Sequence, residues 1–257
     1  MLLRWSIWGK SIPKDLKMLS DSISSFRAII GDKATYLVYT DDPITVSHYI
    51  GSFAEILSYD SYASPSFNYF GTATWAKWCP VARLAPGYTE VHIDSDVFLL
   101  QEPSELFELS KLGKKNHFLV LQECNGADWQ RGFFSNRISL NMPFINAGFF
   151  AQGPDADISK NLQAQFLWWR DCCGERQETF HDEQGGLTMA LISVVREKRL
   201  TLLPKSRYKI ISPRSNQNIF EQKNLSDIVL FHATYPEHPA WQKFKHLLPS
   251  REASHVF

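Results

Sequence analysis

The stretch His92–Leu100, HIDSDVFLL, sets Asp94 and Asp96 one residue apart inside an otherwise apolar run. Such a run reads as a buried strand, and a regular strand turns residues i and i+2 to the same side, so both carboxylates can reach one ligand where the strand gives way to a loop. Two carboxylates this close repel each other. A divalent cation relieves the repulsion, and hard oxygen ligands suit Mg²⁺ or Mn²⁺, which also carry phosphate oxygens. Asp-Ser-Asp is equally ordinary turn chemistry, so the motif alone leaves a solvated turn open.

Around this stretch the chain alternates strand-like and helix-like segments. LLRWSIWG reads as a strand, Lys14 to about Ile30 as a helix and TYLVYTDDP as a second strand, the beat of a βαβ sheet. SHYIGSFAEIL and TATWAKWCPVARL suggest two further helices, then Pro86-Gly87 punctuates before the strand EVHIDSDVFLL. PSELFELSKL follows as a helix and FLVLQE as a strand. Residues 124–142, CNGADWQRGFFSNRISLNM, have no clear period and read as a functional loop. FINAGFFAQGP resumes as a strand, NLQAQFLWWRDC and DEQGGLTMALISVV as helices, and LTLLP, YKIIS and IVLFHA are expected to close the sheet.

The 257 residues suffice for a sizeable core in one domain. Lysine plus arginine balances aspartate plus glutamate at 27 each, so no global field recruits nucleic acid or an anionic membrane. Arg4 and Lys10 interrupt the apolar residues of the start, no small-residue cleavage site follows, and no eighteen uncharged apolar residues run together. We expect no integral membrane segment. Cys79, Cys124, Cys172 and Cys173 form no CxxC pair, which fits a reducing cytoplasm better than a disulfide framework or structural zinc.

IVLFHATYPEHPAW places His232 just past a short apolar strand, where a packed or capping histidine is the plain alternative to a ligand. Phosphohydrolases of the haloacid dehalogenase type also put D-x-D after an apolar strand, but they usually carry Thr or Val where this chain has Phe98, and much nearer the N-terminus. The order HIDSDVFLL, FINAGFF, DEQGGL, HATYPEHPAW resembles instead the GT-A nucleotide-diphosphosugar transferase fold, and within it glycosyltransferase family 8, the retaining group that includes glycogenin and bacterial lipooligosaccharide galactosyltransferases. In that family D-x-D, F-N-[AS]-G, D-Q and a histidine followed by K-P-W occur in this order. The landmarks span about residues 70 to 245.

The resemblance implies an α/β fold with a Rossmann-like mixed sheet flanked by helices, a nucleotide-binding half over about residues 1–115 and an acceptor-side half over about 116–257. It implies Mn²⁺ or Mg²⁺ held by Asp94, Asp96 and His232, with Asp94 and Ser95 also against the donor. Lys77 and Arg83 resemble donor-contacting cations. Asn146, Ala147 and Gly148 would reach the donor sugar, Gly148 by allowing close backbone approach. Gln184 and Glu183 fall near the reacting sugar face, with Asp182 as the carboxylate if the register slips by one. Trp8 occupies the place of the uridine loop.

Two positions depart from the family pattern. His238 replaces the lysine before Pro-Trp that binds the diphosphate, and supplies full charge only when protonated. Pro143 stands where glycogenin-like members carry an acidic residue. The implied activity is transfer of a hexose from a UDP-sugar to an acceptor that the sequence leaves open: a glycan, a lipid-linked saccharide, a protein side chain or a modified nucleobase. Trp129, Phe133 and Phe134 are candidates to stack on it. A sugar-nucleotide nucleotidylyltransferase and a non-catalytic nucleotide-sugar or carbohydrate-binding protein of the same fold are the alternatives.

Overall fold

The computed structural model describes residues 1–9, 13–59, 74–81, 83–111, 113–123, 126–173, 181–211, 225–234 and 246. Its strands are β1 (Leu2–Ile7), β2 (Thr35–Thr40), β3 (Glu55–Ser58), β4 (Glu90–Ile93), β5 (Val97–Leu99), β6 (Phe118–Gln122), β7 (Ile145–Gln152), β8 (Leu200–Leu203), β9 (Tyr208–Ile211) and β10 (Leu230–Ala233). A seven-stranded sheet runs β3-β2-β1-β4-β7-β6-β8, and a three-stranded sheet runs β5-β10-β9. In the large sheet β7 alone lies antiparallel to its neighbours β4 and β6; the other pairs are parallel.

The near-continuous apolar strands follow from burial on both faces. Leu3, Trp5, Val38 and Phe149 pack with Leu16, Leu19, Ile23 and Phe26 of helix α1 (Pro13–Ile30). The alternate residues Leu37, Tyr39, Val120 and Phe150 belong to a second core, which includes Phe166 and Trp169 of α4 (Ser159–Cys173) and Leu187 of α5 (Asp182–Ala190). Each such side chain stabilises the fold by about 1.5–3 kcal/mol over leaving it exposed. The mixed sheet with flanking helices is the expected architecture.

Several elements differ from the sequence expectation, each for a local reason. HIDSDVFLL is two strands in two sheets, with Asp94-Ser95-Asp96 as the turn between them. Beyond its ladder to β10, β5 is anchored by serines on the buried face of α1: the Leu99 N–H donates to Ser25 Oγ at 3.0 Å and Ser22 Oγ donates to the Val97 carbonyl. The segment expected as one helix from Ser47 to Leu57 is the end of α2 (Pro43–Ile50), a 3₁₀ turn and the edge strand β3, because the backbone turns left-handed at Gly51, φ 58°. The expected helix around Trp75 is, in its described part, a 3₁₀ turn over Trp75–Trp78; Pro80 has no N–H to continue it.

Farther along, α3 is the short Ser104–Glu108, and the helix after DEQ splits at Leu191 into α5 and α6 (Ile192–Arg196). The loop expected over 124–142 contains 3₁₀ turns over Asp128–Arg137, kinked at Gly132. Only β8 joins the large sheet, at its edge, whereas β9 and β10 build the small one. An apolar run identifies a strand but not its partner. No helix among the described residues is long and apolar enough to cross a membrane.

Candidate active site

Asp94 follows the last residue of β4, and its N–H donates to the Gly148 carbonyl at 2.9 Å, extending the pairing with β7. Asp96 precedes β5, and its carbonyl accepts from the Ala233 N–H at 2.8 Å, extending the pairing with β10. The two carboxylates are thus each tied to a different sheet, across one tight turn closed by the Val97 N–H on the Asp94 carbonyl at 3.1 Å. His232, buried in β10 opposite Val97, completes the group: Nε2 lies 3.0 Å from Asp96 and 4.0 Å from Asp94. One ligand atom from each of the three lies within 4.8 Å of the others. Two carboxylate oxygens and one imidazole nitrogen drawn together in this way could hold a divalent metal ion.

Lys77 reaches this group from the 3₁₀ turn. Its Nζ donates to Asp94 at 3.0 Å, to Glu183 at 3.2 Å and to the Ala147 carbonyl at 3.5 Å. Burial alone would lower the Lys77 pKa, but the Asp94 and Glu183 carboxylates outweigh it and raise it, so the ammonium is held. Glu183 shares that single ammonium with Asp94 and takes a second hydrogen bond from Trp78 Nε1 at 3.1 Å. Burial pushes the Glu183 carboxyl up to about 7 against the pull of Lys77, and the Asp94 charge adds to the push. At His232 the burial penalty is overcome by Asp96 and Asp94, which raise its pKa. Three carboxylates face one lysine and one imidazole, an excess of negative charge.

Of the remaining sequence candidates, some border this group and others turn elsewhere. Asn146 does not simply present its amide to a donor. Nδ2 donates to Glu123 at 3.1 Å, while Oδ1 accepts from the Gly148 N–H at 2.9 Å and lies 2.9 Å from His232 Nδ1. Gly148 admits the histidine, since a Cβ there would overlap the His232 ring. Gln184 spends both ends of its amide on backbone, accepting from the Ala147 N–H at 3.1 Å and donating to the Gln130 carbonyl at 2.9 Å. Asp182 accepts from the Phe133 N–H at 2.7 Å and from Trp169 Nε1 at 3.0 Å. It ties the 128–137 turns and α4 to α5. Ser95, half-buried, sits in the turn itself.

Arg83 requires a correction. Its guanidinium donates to the carbonyls of Gly153 and Pro154 at 2.8 and 2.9 Å, and to those of Ala156, Ala85 and Tyr88, with Glu90 at 3.9 Å. It staples its own segment to the end of β7 instead of facing the cation group. Trp8 packs against the core beside the turn where the Gly9 N–H donates to Asp41 at 2.8 Å. Of the three loop aromatics, Phe134 is fully buried and Phe133 partly so, whereas Trp129 is 48 % exposed, edge-on to His181. His238 lies outside the described residues.

No protein-family model matches the sequence, and no curated protein does. Solved structures do match. The galactosyltransferase LgtC, in complex with donor and acceptor sugar analogs, superposes with a TM-score of 0.58 at 12 % identity, covering 96 % of this chain and 95 % of LgtC. Mouse xyloside xylosyltransferase 1 gives 0.55 at 11 % identity, over 90 % of this chain and 97 % of its own. GlyE of Streptococcus pneumoniae gives 0.59 at 13 % identity, over 95 % of this chain and 59 % of its own. The chain has the GT-A fold.

Within the GT-A frame, the residue that sequence reasoning passed over is Glu123. It is buried, 5 % exposed, directly after β6. A signal was available: FLVLQE ends a run of apolar residues on a carboxylate, and such a charge is rarely buried without a partner. Arg4 and Glu90, buried together at 3.0 Å beneath the 3₁₀ turn, were likewise unassigned.

Proposed function

We propose that this chain is a metal-dependent, retaining glycosyltransferase that moves a hexose from a UDP-sugar to an acceptor, as one domain, with the donor on the half spanning about residues 1–115 and the acceptor on the remainder. The observation that best supports this is the convergence of Asp94, Asp96 and His232 with Lys77 and Glu183 at the seam of two sheets, in a fold shared with a galactosyltransferase that binds donor and acceptor sugar analogs. Asp94, Asp96 and His232 would hold Mn²⁺ or Mg²⁺. Bound there, such an ion offsets the negative charge that grows on the leaving diphosphate.

The protein's own groups extend that stabilisation. Lys77 Nζ stands at Asp94, so a phosphate oxygen held beside these carboxylates would also meet an ammonium, in a buried setting where the attraction is strong. Glu183, held by Lys77 and Trp78, would face positive character on the sugar ring in its ionised form. Gln184 braces Ala147, whose carbonyl faces Lys77 Nζ beside the group. Trp129, exposed beside Gln130, suits an acceptor with an apolar sugar or ring face.

The test is incubation with Mn²⁺ and a panel of UDP-sugars, measuring UDP release with and without chelator. Release from one donor, lost on chelation, is the expected result. Absence of release from every donor, together with no heat of binding in calorimetry, would overturn the reading.

A further inference from the structure

We infer that Asn146, held by Glu123, is a positioning residue that fixes which nitrogen of His232 faces the cation group; this rests on the cation reading of Asp94, Asp96 and His232 given above. The argument begins at the buried end of a hydrogen-bond chain. Glu123 is an acceptor when ionised, and Asn146 Nδ2 is only a donor, so their 3.1 Å contact has one polarity. The other end of the amide is then the carbonyl oxygen. The Gly148 N–H, which can only donate, points to the same oxygen at 2.9 Å and specifies the same orientation independently.

A flipped amide would set oxygen against carboxylate at one end and N–H against N–H at the other. With Oδ1 turned to His232 Nδ1 at 2.9 Å, that nitrogen must carry the hydrogen, because two lone pairs there would repel. Nε2, at 3.0 Å from Asp96, holds a hydrogen against that carboxylate in the metal-free chain and is the nitrogen that would exchange its proton for a cation. Gly148 belongs to the same device: a side chain in its place would overlap both the His232 ring and Asn146 Oδ1. Histidine ligands generally depend on such a partner on the far nitrogen, which fixes the ring and raises its basicity. The carboxylate here acts at one remove, through an amide.

The experiment uses Mn²⁺ binding alone, by calorimetry, with no sugar donor. Asn146→Leu keeps the shape and removes the acceptor, and is expected to weaken Mn²⁺ by about 10–100-fold. The double variant Glu123→Gln/Asn146→Asp reverses the donor and acceptor across the buried pair while still offering oxygen to His232, and is expected to bind within about threefold of the unaltered protein. The Mg²⁺-loaded unaltered protein should show a solvent-protected ring N–H in nitrogen-15 NMR, assigned to His232 Nδ1 by its loss in His232→Gln; this readout holds even where Asn146→Leu does not fold. The inference is overturned if His232 carries its hydrogen on Nε2 in the loaded protein, or if Asn146→Leu binds Mn²⁺ as tightly as before while Asp96→Asn abolishes binding. Unchanged binding in both Asn146→Leu and Asp96→Asn would overturn the cation site itself and this inference with it.

Discussion

Strand β4 carries a carboxylate at each end, and the two have opposite surroundings. Glu90, at the start, is fully buried and answered on every side: Arg4 at 3.0 Å, Arg83 at 3.9 Å, and the N–H groups of Leu84 and Ala85 at 3.0 and 3.3 Å. Asp94, just past the other end, shares one lysine with Glu183 and stands beside Asp96. Closed, charge-matched groups hold a fold together. A group that gathers carboxylates at a partly open end is a candidate to take something from outside, and Asp94, Asp96 and His232 are grouped closely enough to hold a metal ion.

The sharpest way to break this contrast is at the matched end. Arg4→Met removes the guanidinium that pairs with Glu90 and that also donates to the carbonyls of Cys79 and Pro80 at 2.8 and 3.1 Å. Leaving a buried carboxylate short of charge should cost about 3–5 kcal/mol, read as a lower urea midpoint at unchanged slope. A loss below about 1 kcal/mol would mean that Arg83 alone suffices and that the two ends differ less than their geometry states.

Next in size is Gly148→Ala, which drives a methyl into the His232 ring. Overpacking of this kind costs about 1–3 kcal/mol, and Mn²⁺ affinity should fall with it, whereas an equal steric insult near Glu90 would lower stability alone. Parallel unfolding and calorimetry separate the two.

A third probe uses pH. The carboxyl of Glu183 stands at about 7 against an ordinary 4.5, raised by burial and by Asp94 against the pull of Lys77 and Trp78. Between those values the folded chain holds a proton that the unfolded chain has lost, so this group's contribution to stability falls as pH rises through that window. In metal-free protein Glu183→Gln should flatten that decline, by up to about 1.4 kcal/mol per pH unit. An identical pH profile in the variant would show that Glu183 ionises freely.

The smallest change in stability belongs to Asp96→Asn. Its loss of attraction to His232 is offset by relief from Asp94, so the metal-free unfolding free energy should shift by less than about 1 kcal/mol. Saturating Mn²⁺ should stabilise the unaltered protein by about 2.7 kcal/mol at a hundredfold excess over Kd, and that gain should be absent in the variant. Retention of that gain would place the ion elsewhere.

These contrasts also mark what the sequence disclosed. Strands β1, β2, β6 and β7 were legible because burial on both faces writes a near-continuous apolar run, whereas Asp94, Asp96 and His232 were joined as one group only by the resemblance, since a turn and a packed histidine explain each of them singly. The division into two sheets was hidden, since β5, β9 and β10 have the same apolar signature whichever neighbour they pair with. Roles that depend on direction were hidden too. Arg83 and Lys77 lie six residues apart in one segment, yet one guanidinium turns to carbonyls of the 153–156 turn and the other cation to the carboxylates. Arg4 and Glu90 are 86 residues apart, so neither announces its partner.

Because Asp94 is tied to the large sheet through Gly148 and Asp96 to the small one through Ala233, the spacing of the three candidate ligand atoms is a caliper set across two β-sheets. An ion seated there would clamp those layers at one opening, and ions of different radius would demand different openings. With an ion bound, metal choice and the inclination of one layer on the other would be a single variable.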